Sequence, residues 1–345
     1  MKKGKSSTLL AAMCLFVLSL IISGCGKNTA STEASSNGYP KMTIKFAHVV
    51  AEDDPKGQMA EKFKEVVEDK SDGNITVKVY PNGQLYGDDN ELQALQSNNV
   101  QIIAPQTTKL AGFDESMELF DIPFLFKDED NLYEFEDSEI GKDLLKKLEG
   151  DGIKGLAFWP NGFKHITNSE REIKEPSDLK GLKIRTHGGE ILNDSYKQFG
   201  AASTKIAFND VYQALQLGTI DGQENNLTNI KSQSYDEVQG YLSLTNHTRT
   251  EYGLVANKGW WDDLNDQTKK LLSDAVDEAT KKGRELAKKE SEEALKEIEA
   301  AGKMKVHKMT EEEHDKFVQI LQPVIDKWSK KMDPEIIENI LDMQK

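Results

Sequence analysis

Period-two and period-3.6 patterns alternate along nearly the whole chain. Residues 42–50 alternate apolar and polar positions with enough β-branching for a strand, and 57–70 sets Met59, Phe63, Val66 and Val67 at helical spacing. Residues 74–80 return to period two, and Pro81-Asn82-Gly83 ends this strand–helix–strand unit in a turn, with a right-handed crossover expected. A short helix at 91–96 leads to a strand at 100–104, and the apolar knot 120–126 around Pro123 reads as core or hinge-facing. A helix at 140–148 and a strand at 153–159 follow, then a turn opened by Glu175-Pro176-Ser177-Asp178 and a strand at 181–185. Helices at 190–199 and 209–217 end at Gly200 and Gly218, and the second leads into the strand Thr219-Ile220-Asp221. After a strand at 252–257 and a start at Trp260-Trp261-Asp262, residues 266–301 form one charged pattern without proline and with a single glycine, Gly283. At ~1.5 Å per residue such a helix runs roughly 50 Å, long enough to brace two lobes. A helix at 311–331, interrupted at Pro323, and a last one from Pro334 complete the pattern. Strands alternating with helices predict α/β lobes with mainly parallel sheets.

The first 40 residues break this pattern. Three lysines among the first five residues, an apolar run at 9–22 and Ile22-Ser23-Gly24-Cys25 make a bacterial secretory signal, too short to span a membrane. Its end resembles the lipobox of lipoproteins, which implies cleavage before Cys25 and diacylglycerol attachment to that thiol. Residues 26–38, rich in Ser, Thr, Ala and Asn, read as a flexible tether. Cys14 falls in the removed segment, so Cys25 would be the sole remaining cysteine, without a disulfide, a thiolate nucleophile or a cysteine metal site. The formal charge of −15 becomes about −18 once Lys2, Lys3 and Lys5 are lost, which argues against nucleic-acid partners. The ~305 residues left exceed one comfortable core. We divide the chain into a signal (1–24), a lipidated cysteine and tether (25–40), lobe I (41–161 plus 250–289) and lobe II (162–249 plus 290–345).

No residues suggest catalysis. H-E-x-x-H, the Walker loop and G-x-S-x-G are missing, and the six histidines at 48, 165, 187, 247, 307 and 314 lack metal-ligand spacing. Gly150-Asp151-Gly152-Ile153-Lys154-Gly155 matches G-x-G-x-x-G, but it lies between helix and strand, the reverse of a dinucleotide fingerprint. No cofactor is expected. What remains suits reversible binding of an anion. Arg185 closes a short apolar strand, where a guanidinium needs either a structural ion pair or a ligand carboxylate. Lys164 offers a mobile charge for the same or a second carboxylate, and Asn225 an amide with donor and acceptor. Each charge-assisted bond contributes ~1.5–3 kcal/mol, so three or four reach the roughly −8 kcal/mol of micromolar binding after ordering costs.

Six fragments stand in order: Phe46-Ala47-His48, Tyr80-Pro81-Asn82-Gly83-Gln84-Leu85, the run from Asp121 to Phe126, Gly181-Leu182-Lys183-Ile184-Arg185, Val211-Tyr212-Gln213-Ala214-Leu215-Gln216, and Asp221-Gly222-Gln223-Glu224-Asn225. Together they resemble the substrate-binding proteins of tripartite ATP-independent periplasmic (TRAP) transporters, over about residues 41–330. The resemblance implies a periplasmic-binding-protein-like clamp of two α/β lobes, with hinge strands and a long bracing helix. It implies an organic-acid ligand and a sodium-driven TRAP permease as partner. Arg185 would make the main carboxylate salt bridge, Asn225 would bond the same end of the ligand, and Phe208 would pack on it. His48, Lys56, Gln106 and His247 are further candidates, each with an alternative structural reading. Gly-Phe-Lys and Asn246-His247-Thr248 look more like the four-carbon dicarboxylate branch (malate, succinate, fumarate) than the sialic-acid branch. Asn226 stands where proline usually follows Gln-Glu-Asn, a departure expected to loosen that turn. A sugar-acid (uronate) receptor, a secreted enzyme and a receptor feeding a sensor kinase are the alternatives.

Overall fold

The computed structural model describes residues 38–344; the signal, the Cys25 lipidation and nearly all of the tether lie outside them. In chain order the first half holds β1 (Met42–Ala47), α1 (Pro55–Lys70), β2 (Ile75–Tyr80), α2 (Glu91–Gln96), β3 (Ile102–Ile103), α3 (Glu129–Asp137), α4 (Glu139–Lys146), β4 (Ile153–Phe163) and β5 (His165–Asn168). There follow β6 (Lys183–Thr186), α5 (Glu190–Gln198), β7 (Ala202–Lys205), α6 (Val211–Gln216), β8 (Gly222–Asn225), α7 (Leu227–Ser232) and β9 (Tyr241–Leu244). The last part holds β10 (Arg249–Asn257), α8 (Lys258–Asp262), α9 (Asp266–Ala301), β11 (Lys305–Lys308), α10 (Glu311–Lys331) and α11 (Pro334–Asp342).

These strands form two sheets, ordered β2-β1-β3-β10-β4 in lobe I and β11-β9-β5-β8-β6-β7 in lobe II. The lobe II sheet is mainly parallel, with the β11–β9, β8–β6 and β6–β7 pairs all parallel, while the lobe I sheet is evenly mixed. β1 pairs in parallel with β2 and β3, but β10 returns antiparallel to β3 and β4. In lobe II, β5 is antiparallel to both β8 and β9. The reason is the crossing itself: the chain leaves lobe I along β4 and returns along β10, so the hinge strands must oppose each other. Lys164 sits alone between β4 and β5, its N–H donating 2.9 Å to Thr248 O just ahead of the return strand.

The bracing helix spans 36 residues, ~54 Å at the α-helical rise. Leu271, Leu272, Ala275, Val276 and Ala279 of its first half enter the lobe I core with Phe46, Met59 and Phe63. Ala294 and Ile298 of its second half enter the lobe II core with Ile230 and Leu242. Several expected boundaries shift. β8 begins at Gly222, not at Thr219, and Pro323 lies inside an unbroken helix. Ile336 and Ile340 of α11 share an apolar cluster with Leu132 and Phe135 of α3, and Gln344 donates to Leu125 O at 2.6 Å.

Candidate functional site

Side chains from both lobes converge on one small cavity. Val49, Val50, Lys56, Asp88, Gln106, Lys109 and Tyr252 line it from lobe I, while Arg185, His187, Phe208, Glu224, Asn225 and Asn229 line it from lobe II, with Lys164 at the crossing. Its volume is about 20 Å³, room for about one water, so an organic acid can enter only after the lobes part. Several bonds hold this closed arrangement. Phe208 N donates to Asp88 Oδ2 at 2.9 Å, Asn209 Nδ2 to Val49 O at 3.2 Å, and Thr228 Oγ1 to Asp54 Oδ2 at 3.2 Å. Gly189, at φ 100°, lets the lobe II backbone pass so close to lobe I that a Cβ there would lie 2.7 Å from Thr108 Cγ2.

Arg185 is 3 % exposed. Its Nε donates to Ile206 O at 2.9 Å, which orients the guanidinium fork into the cavity. Among the described residues no carboxylate lies within salt-bridge distance of it, so the structural ion pair is not formed. Asn225 Oδ1 accepts from Asn229 Nδ2 at 2.8 Å, which leaves its own Nδ2 on the cavity side. Asn226 does not loosen this turn. It caps α7 by accepting from Asn229 N at 2.8 Å, the role a following proline could not take.

Lys164 departs most from expectation. Far from mobile, it is 2 % exposed and gives its three donors to Asp121 Oδ1 at 2.8 Å, Glu224 Oε1 at 3.3 Å and His187 Nδ1 at 3.4 Å. Burial alone would raise the Glu224 carboxyl; Lys164 and a hydrogen bond from His247 outweigh it and hold the group down at about 2. Burial likewise acts upward on Asp121, and Lys164 with His187 pulls it well below the usual carboxylate range. Burial, then Lys164, keeps the His187 ring below its ordinary value, and its Nε2 donates to Asp121 Oδ2 at 3.0 Å. The cluster is a saturated ionic floor.

Lys56, Gln106 and Phe208 reach the cavity. Lys56 is not a solvated helix start: it is fully buried, donates 3.0 Å to Ala104 O and lies 3.6 Å from the Tyr252 ring centroid. Phe208 packs on Val49 and Val50 across the seam between lobes. His247 and His48 do not line the cavity. His247 stands behind it, donating 2.9 Å to Glu224 Oε2. His48 is core beside Phe46, and burial followed by Lys56 lowers its ring to about 3, which leaves it neutral. The sequence reading passed over Asp88, Lys109, His187, Glu224, Asn229 and Tyr252. Two carried a signal: His187 follows Arg185 at strand period, and Glu224 lies inside the Gln-Glu-Asn run.

The cleft between the lobes is lined by four cations, Lys56, Lys109, Lys164 and Arg185, together with Asp88 and Glu224. The family model described as "Bacterial extracellular solute-binding protein, family 7" matches residues 46–331. The chain belongs to that family. It is 41 % identical over 297 residues, 86 % of this chain and 89 % of the relative, to the C4-dicarboxylate-binding periplasmic protein DctP of Rhodobacter capsulatus. Its fold matches the crystal structure of a TRAP periplasmic solute-binding protein from Shewanella oneidensis with bound succinate at a TM-score of 0.85. The two are 37 % identical, over 88 % of this chain and 99 % of that one. The sugar-acid-binding protein DctPAm of Advenella mimigardefordensis, in complex with galactonate, matches at 0.84 with 33 % identity, over 88 % and 97 % of the two chains. The family 7 chain is thus a TRAP solute receptor, an extracytoplasmic class, and among its described residues no helix is long and apolar enough to cross a membrane.

Proposed function

We propose that this family 7 receptor binds a four-carbon dicarboxylate such as succinate, malate or fumarate between its lobes and delivers it to the membrane subunits of a TRAP transporter. The observation that carries the reading is Arg185, a buried guanidinium held at the cavity wall by a backbone carbonyl, with no carboxylate among the described residues within salt-bridge distance. A ligand carboxylate meeting it by two parallel hydrogen bonds would complete the charge pairing that the protein omits. Asn225 Nδ2 would donate to the same end of the ligand. Similarity to C4-dicarboxylate-binding relatives supports the ligand class. A sugar acid is the second reading, favoured by the galactonate-bound neighbour. The lipobox-like Ile22-Ser23-Gly24-Cys25 supports a lipid anchor, and two acyl chains would give stable membrane attachment. The receptor fold, with no catalytic cluster among the motifs, supports binding without turnover.

Calorimetry with succinate, L-malate, fumarate, galactonate and galacturonate tests this. We expect micromolar or tighter binding of a four-carbon acid, recovered unchanged. Arg185→Ala should weaken it by about two orders of magnitude or more, since removing one partner of a buried charge-assisted pair costs about 2–5 kcal/mol, with little change in melting temperature. Tighter binding of the sugar acids would replace the ligand class, and unchanged affinity in the variant would remove Arg185 from the site.

A further inference from the structure

The cavity contains a cation whose hydrogen-bonding capacity is unused. Lys109 follows Gln106 in the tight turn Thr107–Leu110 of lobe I, with its side chain 8 % exposed. Its Nζ is buried and has no hydrogen-bond partner. The nearest counter-charge is Asp88, whose Oδ2 stands 3.7 Å away and already accepts from Phe208 N across the seam. The other lysines are committed. Lys164 gives all three donors to the ionic floor, and Lys56 is bonded to Ala104 O and laid over Tyr252. An ammonium carries three donors, and desolvating it without hydrogen bonds is expensive. An ammonium in that condition at a ligand cavity is a vacant anion contact.

We propose that Lys109 is the specificity-determining residue that reads the second carboxylate of the ligand. The assignment rests on the receptor reading above and moves the diacid-selecting role away from Lys164. Arg185 holds one carboxylate from lobe II; Lys109 takes the other from lobe I, so a dianion ties the lobes together by both of its ends. Asp88 acts as the stand-in: it neutralises Lys109 when no second carboxylate is present and remains bonded to the Phe208 amide when one is. A monoacid engages lobe II alone and leaves the Lys109–Asp88 pair undisturbed.

The test compares succinate with succinamate, which has the same length but a neutral amide at one end, by calorimetry on the full mature chain. Wild type is expected to prefer succinate by about thirtyfold or more. In Lys109→Gln the preference should fall to within about threefold, through loss of succinate affinity at nearly constant succinamate affinity, and Lys109→Arg should keep it. Asp88→Asn, which retains an oxygen for the Phe208 amide and removes the competing charge, should widen the preference severalfold; this arm also stands if the Lys109 variants fold poorly. A wild-type preference that survives in Lys109→Gln, or is unmoved in Asp88→Asn, overturns the assignment while leaving the receptor reading intact. Wild type that binds neither compound overturns both.

Discussion

The residues that matter most differ less in type than in how their donors are used. Arg185, Lys56, Lys109 and Lys164 all reach one cavity, yet the first makes a single backbone bond and the last spends every donor on protein. That difference decides what each substitution does. Lys164→Met would strand Asp121 and Glu224 in a region where their side chains are no more than 3 % exposed. Removing one member of such a buried cluster costs about 3–5 kcal/mol. Urea unfolding should therefore report a large loss of stability for this variant, accompanied by a general loss of binding. Wild-type stability with a selective loss of diacid binding would instead restore Lys164 as a ligand contact. Sequence reading singled out Lys164 and Arg185 as the notable cations, and both line the cavity. It could not see the ionic partners of Lys164, because Asp121 lies 43 residues from it and Glu224 lies 60 away in the chain.

At the scale of elements, helix α9 was legible to its terminal residues. Its apolar spacing, the Asn265 cap and the Gly302 stop at φ 63° are all local signals. Less legible was the use of its one glycine. A Cβ at Gly283 would lie 2.0 Å from Met59 Sδ, so the glycine marks where α9 and α1 press together. Helix propensity alone would make Gly283→Ala favourable by about 1 kcal/mol. Overpacking costs about 1–3 kcal/mol, softened here by the adaptable methionine. The net expectation is a destabilised protein, measurable as a lower melting temperature; a rise would show that Met59 yields freely. The strands were read less well than this helix. β8 is a polar run, Gly222–Asn225, that period-two alternation does not mark, because it is buried by its neighbours β5 and β6 and not by its own hydrophobicity.

For the whole molecule the opposed pKa shifts set a pH profile. Glu224 is held at about 2, below its ordinary value of 4.5, so its stabilisation is complete above pH ~4.5 and is lost as pH falls toward 2. Glu136 goes the other way: burial, only partly offset by Arg284, raises it to about 7, so its contribution is present in acid and fades as pH rises from ~4.5 to 7. The melting temperature should therefore drop steeply between pH 4.5 and 2.5, and the drop should be shallower in Glu224→Gln, which has no charge to lose there. Equal slopes in the two proteins would show that the ionic floor does not govern acid unfolding.

The sequence by itself determined the class of molecule: an exported α/β chain with a bracing helix, a probe-ready arginine and no catalytic motif, because these depend on periodicity, caps and residue type. Only the tertiary structure decided which strands oppose each other, that α11 packs on α3, and that the cavity ammonium of Lys109 has no hydrogen-bond partner. Those outcomes depend on partners brought from distant parts of the chain. A lysine's role is set by how many of its three donors the fold has already taken, and no local pattern records that number.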